Sequence, residues 1–452
     1  MNYCVGIDLG STTTKAVLLA DSGEVLGRGI TNSRSNYKVA CDVALGEALI
    51  GARFALVSSA LDDSGTEESH KQALLEDLER RLREEQYRAQ LAALSEVIRG
   101  MVRGGDAPGP LATGVESILD DLQEQAGALF IPGASRKSDF FRDLAGSLYL
   151  RLAEQAAKRT GAEFDRLVGL YDKAILEVEN RPSDAGNFAR FAGAALAAMP
   201  GVSSQLALGV EAASEVPLEL ARSVGTGYGR ATLPFPKEQI RSEILCHGLG
   251  AHAMFPGTRT VLDIGGQDTK AIQVDERGIV TSFQMNDRCA AGCGRYLGYI
   301  ADEMNLGVQE LGPLACTSTR RVRINSTCTV FAGAELRERL SLGEKREDIL
   351  AGLHRAIILR ALSLLARSGG VSDEFTFTGG VAKNPAAVAA LRGLIQENYG
   401  ALSMNISPDS IYTGALGAAL FARREWLRSG SDGRSGSRLG AEEAAALAGG
   451  AA

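Results

Sequence analysis

The 452-residue chain lacks any run of apolar residues that approaches the roughly 18 needed for a transmembrane helix. It also lacks a basic-then-apolar signal segment at its N-terminus, where a strand-like sequence begins at once. Positive charge is not in excess, and the net charge of −7 argues against nucleic acid as the main ligand. We therefore expect a cytoplasmic protein that binds neither membranes nor nucleic acid.

Disulfide bonds are not expected either, because the seven cysteines of a cytoplasmic chain are more commonly buried, catalytic or metal-binding. The seven are Cys4, Cys41, Cys246, Cys289, Cys293, Cys316 and Cys328. Apolar residues make up 45% of the chain and charged residues 23%, as in ordinary globular proteins. This length predicts at least two domains and allows a large core.

One short pattern is present twice. The first copy is DLGSTTTK at residues 8–15, and the second is DIGGQDTK at residues 263–270. Each copy follows an apolar, strand-like run and ends in Thr-Lys-Ala. Each then enters a second apolar run and reaches a polar turn before a third run. The pattern predicts one β-hairpin unit that is used twice.

The residues of the repeated turn are suited to binding a metal ion and phosphate. Asp8 and Asp263 each end a strand, and carboxylate oxygens are ligands that Mg²⁺ prefers. The Gly, Ser and Thr residues allow backbone N–H groups to approach phosphate oxygens. Two such turns facing each other would hold the phosphates of a nucleotide from both sides. Two ordinary tight hairpins are the alternative, since Gly and Asp are common in turns, but the repetition in register favours the phosphate site.

A helical segment separates the two hairpins. From about residue 43 to residue 215 the sequence is Ala-rich and charged, with apolar stripes at helical spacing and no further hairpin pattern. We expect the stripes to form a core, with docking of a partner as the alternative. Past residue 426 the chain is rich in Gly, Ser and Ala and is expected to be disordered.

Two cysteines are predicted to lie at the starts of helices. In MNDRCAAGCGRYL (residues 285–297), Asn286 or Asp287 is expected to cap a helix whose first turn contains Cys289. In NSTCTVF (residues 325–331), Cys328 follows three capping residues in the same way. A helix N-terminus lowers the pKa of a thiol and favours negative charge.

This pair of thiols suits a soft-metal or iron–sulfur site, because such clusters are bound by Cys thiolates. Two buried structural cysteines are the alternative. A four-iron cluster needs four ligands, so Cys293 is a candidate third, four residues after Cys289 on one helix face. The missing ligands are expected from a second chain. Cys4 and Cys246 lie in apolar surroundings and are predicted to be core residues.

The motifs carry a family resemblance. DLGSTTTK, DIGGQDTK, FTGGVAKN and TGALGAA resemble, in order, the phosphate, adenosine and connecting motifs of the actin/hexokinase/Hsp70-type (ribonuclease H-like) ATPase fold. SVGTGYGR, MNDRCAAGCGRYL and NSTCTVFAGAEL resemble the BadF/BadG/BcrA/BcrD ATPases, which include activators of 2-hydroxyacyl-CoA dehydratases and ATPase subunits of benzoyl-CoA reductase. The helical segment and GRGITNSRSNY look most like the larger (A or BadF type) ATPase subunit of ATP-dependent benzoyl-CoA reductase.

The resemblance implies an α/β protein with the duplicated ATPase fold and a large helical insertion. Residues 1–42 and 216–250 would form the first ATPase subdomain, and residues 43–215 the insertion. Residues 251–425 would form the second subdomain with the cluster-ligand helices, and residues 426–452 a disordered tail.

The resemblance also implies an ATP-hydrolysing, iron–sulfur electron-activating subunit. It would use ATP, Mg²⁺ and a [4Fe-4S] cluster shared with a homologous smaller ATPase subunit. It would take electrons from a ferredoxin-type donor and drive them to catalytic reductase subunits that reduce an aromatic acyl-CoA. One alternative is an activator of a 2-hydroxyacyl-CoA dehydratase. Alternatives of another class are a sugar or acyl kinase and an actin-like assembly ATPase.

The resemblance also implies roles for those residues of this sequence that match the motifs of the family. Cys289 and Cys328 resemble the cluster ligands, whereas Cys293 departs from the dehydratase activators, which usually have Thr there. The resemblance places Asp8 and Asp263 near Mg²⁺, with Asp8, Gln267 and Asp268 as catalytic residues, the latter two positioning the attacking water. Residues expected to contact the nucleotide are Gly10, Ser11, Thr12, Thr13, Lys15, Gly265, Gly266, Gly379, Gly380, Lys383 and Asn384.

Overall fold

The structure, a computed structural model, describes residues 1–33, 36–103, 109–134, 140–181, 187–228, 233–286, 289–320, 322–324 and 328–431. The described residues form two compact units. The sheet unit comprises residues 1–48 and those from 218 onward, and the helical unit comprises Leu49–Pro217. The insertion was expected at residues 43–215. The boundary lies later because one continuous helix, α1 (Tyr37–Asp63), crosses it.

The helical unit contains the remainder of α1 and six further α-helices in its described residues. They are α2 (Glu68–Arg103), α3 (Gly109–Gln125), α4 (Phe141–Thr160), α5 (Phe164–Glu179), α6 (Asn187–Ala198) and α7 (Ser204–Glu215). The apolar stripe predicted along α2 is buried, including Leu78, Leu82, Leu91, Leu94 and Ile98. These residues contribute to two apolar clusters, so the stripe forms core, as predicted.

Two sheets form the centre of the sheet unit. The strands are β1 (Asn2–Leu9), β2 (Thr13–Ala20), β3 (Val25–Asn32), β4 (Glu219–Thr226), β5 (Thr260–Ile264), β6 (Thr269–Val274), β7 (Val280–Asn286), β8 (Phe375–Thr378) and β9 (Met404–Asn405). The first sheet has the order β3-β2-β1-β4 and the second β7-β6-β5-β8-β9. In each sheet, three consecutive strands of the chain pair in antiparallel fashion. The next strand along the chain, β4 or β8, then pairs in parallel with the first of the three, β1 or β5.

The predicted duplication is confirmed in register. Asp8 lies opposite Lys15 in the first hairpin, and Asp263 lies opposite Lys270 in the second. The repeat extends further than the sequence pattern indicates. The parallel strands β4 and β8 place Thr226 beside Asp8 and Thr378 beside Asp263, so each aspartate has a threonine neighbour from a distant part of the chain.

Seven α-helices follow β4 among the described residues. They are α8 (Glu243–Met254), α9 (Gly294–Met304), α10 (Val308–Cys316), α11 (Thr329–Ser341), α12 (Arg346–Ser368), α13 (Pro385–Tyr399) and α14 (Thr413–Ser431). Helix α12 is long and apolar enough to span a membrane by length and composition. Most of its apolar residues are buried in the core around the second sheet, which accounts for its composition without a membrane.

The C-terminal helix packs against a different part of the sheet unit from the one expected. Helix α14 was placed with the second subdomain, but it packs on the first sheet and on α8. The contact is close because Gly6 leaves room: a Cβ there would lie 2.1 Å from the Ala415 carbonyl oxygen. The helix also continues to Ser431, beyond residue 426, where the tail was expected to begin. The expected tail from residue 432 lies outside the described residues.

Candidate functional site

The two repeated turns face each other in direct contact. A Cβ at Gly266 would lie 2.0 Å from the hydroxyl oxygen of Thr12, so a side chain there would displace Thr12 where the turns meet. Ser11, Thr13 and Gly265 lie half-buried on the same two turns. This arrangement is the one that the repeated pattern predicts for a site that holds phosphates from two sides.

A buried ionic cluster lies behind the second turn. The ammonium of Lys270 lies 2.8 Å from Asp268, 2.9 Å from Glu243 and 3.3 Å from Asp263. Thr378 donates a hydrogen bond of 2.8 Å to the other oxygen of Asp263. Three carboxylates around one ammonium compensate its burial, which would otherwise be costly.

Helix α8 brings two further groups beside Asp8. Glu243 and His247 are one helical turn apart, and their ligand atoms and a carboxylate oxygen of Asp8 all lie within 4.8 Å of one another. The Nε2 atom of His247 is 3.9 Å from Asp8, and its Nδ1 atom is 3.5 Å from Asp263, so the imidazole lies between the two repeated aspartates. Two carboxylates and an imidazole form a set that can bind a divalent cation.

Asp8 supports a cation at this position. Its Oδ1 atom is buried and has no hydrogen-bond partner among the described residues. A buried carboxylate oxygen without a partner is costly, and a bound cation would remove that cost. The carboxylates of Asp8 and Glu243 therefore fit Mg²⁺, which prefers oxygen ligands.

The charges of this cluster shift several pKa values. Burial raises the pKa of the Glu243 carboxyl, and Lys270 and His247 only partly oppose the effect. Burial also disfavours the charged form of Asp263, but His247, Lys270 and the Thr378 hydroxyl hold its pKa well below the ordinary range. Burial disfavours charged Lys270 too, yet its three carboxylates hold its pKa well above the ordinary value. The second turn therefore contains a fixed ion pair.

The two equivalent lysines have different surroundings. Lys270 is 1% exposed and contacts three carboxylates. Lys15 is only half-buried, lies 4.0 Å from Asp8 and has its ammonium 3.3 Å from the position of a Cβ at Gly10. Because its ammonium lies over the first turn, Lys15 is the lysine available to a phosphate.

Two glycines allow close approach to the aspartates. Gly227 and Gly379 follow β4 and β8, and both have positive φ angles, of 112° and 86°. A Cβ at Gly227 would lie 2.8 Å from Asp8 Oδ1, and one at Gly379 would lie 3.0 Å from Asp263 Oδ1. A side chain at either position would be strained and would obstruct the aspartate.

The predicted adenosine turn is only partly available to a ligand. Gly380 begins a short 3₁₀ helix, and Lys383 is exposed. The side-chain carbonyl oxygen of Asn384 instead caps α13, accepting hydrogen bonds from the N–H groups of Ala386 and Ala387. Its amide nitrogen lies 3.0 Å from the ring of His354. Asn384 therefore shapes the turn through these protein contacts.

The prediction that Cys289 lies in the first turn of a helix is wrong. Helix α9 begins at Gly294 and is capped by Cys293, so Cys289 lies in the preceding loop. Asn286 does not cap a helix, because its amide donates to the carbonyl oxygens of Cys289 and Ala291. Asp287 lies outside the described residues. The spacing of Cys289 and Cys293 therefore does not reflect one helix face.

Cys293 is engaged within the protein. It is fully buried, and its thiol donates a hydrogen bond of 3.1 Å to the Ala290 carbonyl oxygen. Burial raises its thiol pKa above the ordinary value. Both its burial and its contact with a backbone carbonyl oxygen are typical of a structural cysteine.

Cys328 is exposed at the N-cap of α11, which confirms its predicted position at a helix start. The capping residues expected before it, at 325–327, lie outside the described residues. Cys289 is half-buried, whereas Cys4 and Cys246 are fully buried in one apolar cluster, as predicted.

Helices α9 and α11 lie side by side and run parallel. The Tyr299 hydroxyl lies 2.5 Å from the position of a Cβ at Gly333, and Glu303 pairs with Arg337 four residues further along both helices. Both N-termini therefore lie at the same end of the pair. Cys328 and the loop that contains Cys289 are brought to that end.

The sequence motifs did not identify Glu243, His247 or Lys270 as site residues. Lys270 was part of the repeated pattern but received no role. Glu243 and His247 have the i, i+4 spacing that places two side chains on one helix face. Both are polar in a mostly apolar segment, EILCHGLGA, and this spacing was the signal available in the sequence.

Comparison with known proteins gives consistent matches. The model of the BadF/BadG/BcrA/BcrD ATPase family matches residues 5–422. The (R)-2-hydroxyglutaryl-CoA dehydratase activating ATPase of Acidaminococcus fermentans is 45% identical over 207 residues, which are 46% of this chain and 77% of that protein. A subunit of the benzoyl-CoA reductase of Thauera aromatica is 35% identical over 175 residues, covering 39% of this chain and 62% of that protein.

Solved structures agree on the fold. The (R)-2-hydroxyglutaryl-CoA dehydratase component A of Acidaminococcus fermentans matches with a TM-score of 0.52 at 25% identity, covering 94% of this chain and all of that one. The activator of the 2-hydroxyisocaproyl-CoA dehydratase from Clostridium difficile matches with a TM-score of 0.52 at 23% identity, covering 96% of this chain and 99% of that one. These matches confirm the predicted actin/hexokinase-type ATPase fold.

Proposed function

The chain belongs to the BadF/BadG/BcrA/BcrD ATPase family, and we propose that it is an ATP-hydrolysing, iron–sulfur electron-activating subunit that delivers low-potential electrons to a catalytic partner. One structural observation carries the proposal. The chain combines the two facing repeated turns, called here the first and second phosphate turns, with two accessible cysteines at one end of the parallel pair α9 and α11. The second phosphate turn is hydrogen-bonded to the start of α9.

ATP binds between the two turns in this proposal. Backbone N–H groups of residues 10–13 and of Gly266, with Lys15, contact the phosphates, while Gly379, Gly380 and Lys383 border the adenosine. Asp8 and Asp263 face the cation, and Glu243 and His247 complete the donors around Asp8. The cation supplies charge neutralisation for the phosphates during hydrolysis.

Gln267 and Asp268 hold the attacking water. Asp268 is ion-paired with Lys270, which fixes the orientation of its carboxylate. A carboxylate held in this way can accept a hydrogen bond from water in one direction, which serves hydrolysis more than ground-state binding.

The cluster ligands of this chain are Cys289 and Cys328. A [4Fe-4S] cluster carries single electrons at low potential and needs four thiolates. Since this chain contributes two, a second, homologous ATPase subunit contributes the others. Phe331, one turn after Cys328, is 66% exposed, and a partner at this end would cover it. A ferredoxin-type protein is the electron donor.

The relatives favour a 2-hydroxyacyl-CoA dehydratase as the catalytic partner. The 45% identity to a dehydratase activating ATPase exceeds the 35% identity to the benzoyl-CoA reductase subunit. A reductase of benzoyl-CoA or another aromatic acyl-CoA is the second candidate. It is favoured by the resemblance of the helical segment and of residues 27–37 to the larger reductase subunit.

Anaerobic purification tests the proposal. The protein is expected to be brown, to contain iron and sulfide, to lose visible absorbance on reduction and to hydrolyse ATP with Mg²⁺. Reconstitution with each candidate partner, reductant and ATP then distinguishes dehydration of a 2-hydroxyacyl-CoA from reduction of benzoyl-CoA. A colourless protein that phosphorylates a sugar or acyl acceptor would contradict the proposal and support the kinase alternative.

A further inference from the structure

We propose that the second phosphate turn, and not the first, transmits the nucleotide state to Cys289, with Thr269 and Arg360 as positioning residues. The inference rests on the proposed function, because it takes nucleotide to bind between the two turns. It names the side chains through which this chain joins its two sites.

The backbone carbonyl oxygens of the loop before α9 are fully engaged. Each carbonyl oxygen from Cys289 to Gly292 accepts a hydrogen bond. Asn286 donates to Cys289 and Ala291, and Cys293 donates to Ala290 through both its N–H and its thiol. The Thr269 hydroxyl donates to Gly292 over 2.7 Å. A loop with this many hydrogen bonds moves as one body with the groups that bind it.

Three hydrogen bonds join the loop and the start of α9 to the second phosphate turn and to Thr269, which follows it. Besides the Thr269 hydroxyl, the first two N–H groups of α9, those of Gly294 and Arg295, donate to the carbonyl oxygens of Gly265 and Gly266 over 2.8 and 2.7 Å. The N–H groups at a helix start need partners from outside the helix. Here the phosphate turn supplies them, so a change in its backbone also displaces α9 and the loop.

Arg360 holds the loop from its other side. Its Nε atom donates to the Ala291 carbonyl oxygen over 3.1 Å. Its side-chain Cδ atom lies 3.4 Å from the position of a Cβ at Gly292, whose φ of 97° favours glycine. Arg360 lies on α12, a core helix, so the loop is fixed between the phosphate turn and a rigid support.

Among the described residues, the first hairpin makes no such connection to the loop before α9. Thr14 is the residue equivalent to Thr269, because it precedes the paired lysine in the same register. Its hydroxyl lies 3.0 Å from the hydroxyl of Ser33, which donates to the Gly10 carbonyl oxygen over 2.5 Å. The first turn is therefore bound to its own hairpin. Both copies have the sequence Thr-Lys-Ala. Its threonine contacts its own hairpin in the first copy and the loop that contains Cys289 in the second.

The duplication supplies a matched pair of variants. Thr269→Val removes the hydroxyl while keeping the shape of the side chain, Thr269→Ser keeps the hydroxyl, and Thr14→Val makes the same change in the first hairpin. Hydrogen exchange of the amides of residues 289–296 is followed by mass spectrometry in the full-length protein. The measurement is made without nucleotide and with saturating Mg²⁺-ADP or Mg²⁺-ADPNP. Calorimetry measures nucleotide binding in the same samples.

In the wild type, nucleotide is expected to change the exchange of residues 289–296. In Thr269→Val, exchange without nucleotide should be about five-fold faster, as expected for the loss of one hydrogen bond. The effect of nucleotide should also be lost although nucleotide still binds. Thr269→Ser and Thr14→Val should respond as the wild type does. Arg360→Gln should loosen the loop but leave the nucleotide response, because the turn still binds it.

Three results would overturn the inference: a Thr269→Val protein with the full nucleotide response, a Thr14→Val protein that loses it equally, or a wild type that binds nucleotide without any change in the loop. If Thr269→Val does not fold, a Thr269→Ser protein without the response overturns it as well. A wild type that binds no nucleotide contradicts the proposed function itself, and calorimetry separates that failure from the others.

Discussion

The ammonium of Lys270 lies 2.8 Å from the carboxylate of Asp268, two residues away and on the same buried turn. This ion pair determines what can be expected of Asp268→Asn. The amide can still accept a hydrogen bond from Lys270, so nucleotide affinity should change by less than about three-fold. Turnover should fall about 10²-fold or more, because a neutral amide orients water less strongly in the transition state. ATPase kinetics and calorimetry measure the two effects, with the exposed Glu276→Gln in the same hairpin as the control. Weakened binding with unchanged turnover would reverse the assignment.

Asp8→Ala and Asp263→Ala should each abolish Mg²⁺-dependent ATP hydrolysis, because each removes a carboxylate from the neighbourhood of the cation. Asp263→Ala should also lower the melting temperature, since Lys270 and Thr378 lose a buried partner. Asp8→Ala should cost less stability, as its Oδ1 atom has no partner to lose. Asp21→Ala, in the exposed turn of the first hairpin, is the control. Full turnover in either variant would refute the two-turn site.

Glu243→Gln should raise the Mg²⁺ concentration needed for half-maximal hydrolysis by about ten-fold. The reason is that Glu243 is one of three groups whose ligand atoms lie within 4.8 Å of one another around Asp8. Maximal turnover at saturating Mg²⁺ should fall less than in Asp268→Asn. A titration of activity against free Mg²⁺ checks this, with the exposed Glu238→Gln for comparison. An unchanged Mg²⁺ requirement would place Glu243 outside the cation site.

Cys289→Ser and Cys328→Ser should each remove the iron and weaken pairing with a second subunit, while nucleotide binding is retained. The reason is that the cysteines and the phosphate turns lie in separate elements. Cys316→Ser, also an exposed cysteine, should keep the iron. Iron content and oligomeric state are measured anaerobically. A Cys289→Ser protein that keeps four irons per dimer would end the proposal of a shared cluster.

Cys293→Ser should also keep its iron, because a serine hydroxyl can still donate to the Ala290 carbonyl oxygen.

Stability should fall below about pH 6.5 because of His354. Burial lowers the pKa of this imidazole from its ordinary value of 6.5, and its hydrogen bond to the Leu350 carbonyl oxygen only partly opposes the effect. The unfolded chain therefore binds a proton at a higher pH than the folded chain does. The contribution of neutral His354 is complete above pH 6.5 and is lost as pH falls from there through the folded pKa.

The variant His354→Gln should flatten this part of the profile of unfolding free energy against pH. The exposed His70→Gln should leave it unchanged. Urea unfolding between pH 5 and pH 8 measures the effect. A profile of equal slope in wild type and His354→Gln would show that other groups cause the acid sensitivity.

The sequence alone determined the features that depend on neighbouring residues. The two hairpins were predictable because the strands, the turn and the Asp–Lys pairing of each lie within a short stretch of chain. The helix start at Cys328 was predictable for the same reason. The core positions of Cys4 and Cys246 followed from their apolar neighbours. The repetition of one pattern, rather than either copy, indicated a site formed by two facing turns.

Only the tertiary structure decided which groups meet in that site. Glu243 and His247 reach Asp8 because α8 packs between distant parts of the chain, and Thr378 reaches Asp263 across 115 residues. Cys293 was a candidate ligand by its spacing from Cys289, but the turn at Gly265 and Gly266 fixes the start of α9 and makes Cys293 its cap. Local sequence specifies propensity and pattern, whereas these contacts depend on packing between segments far apart in the chain. The i, i+4 spacing places Glu243 and His247 on one face of α8, but a single sequence contains no local signal for the residues that this face contacts.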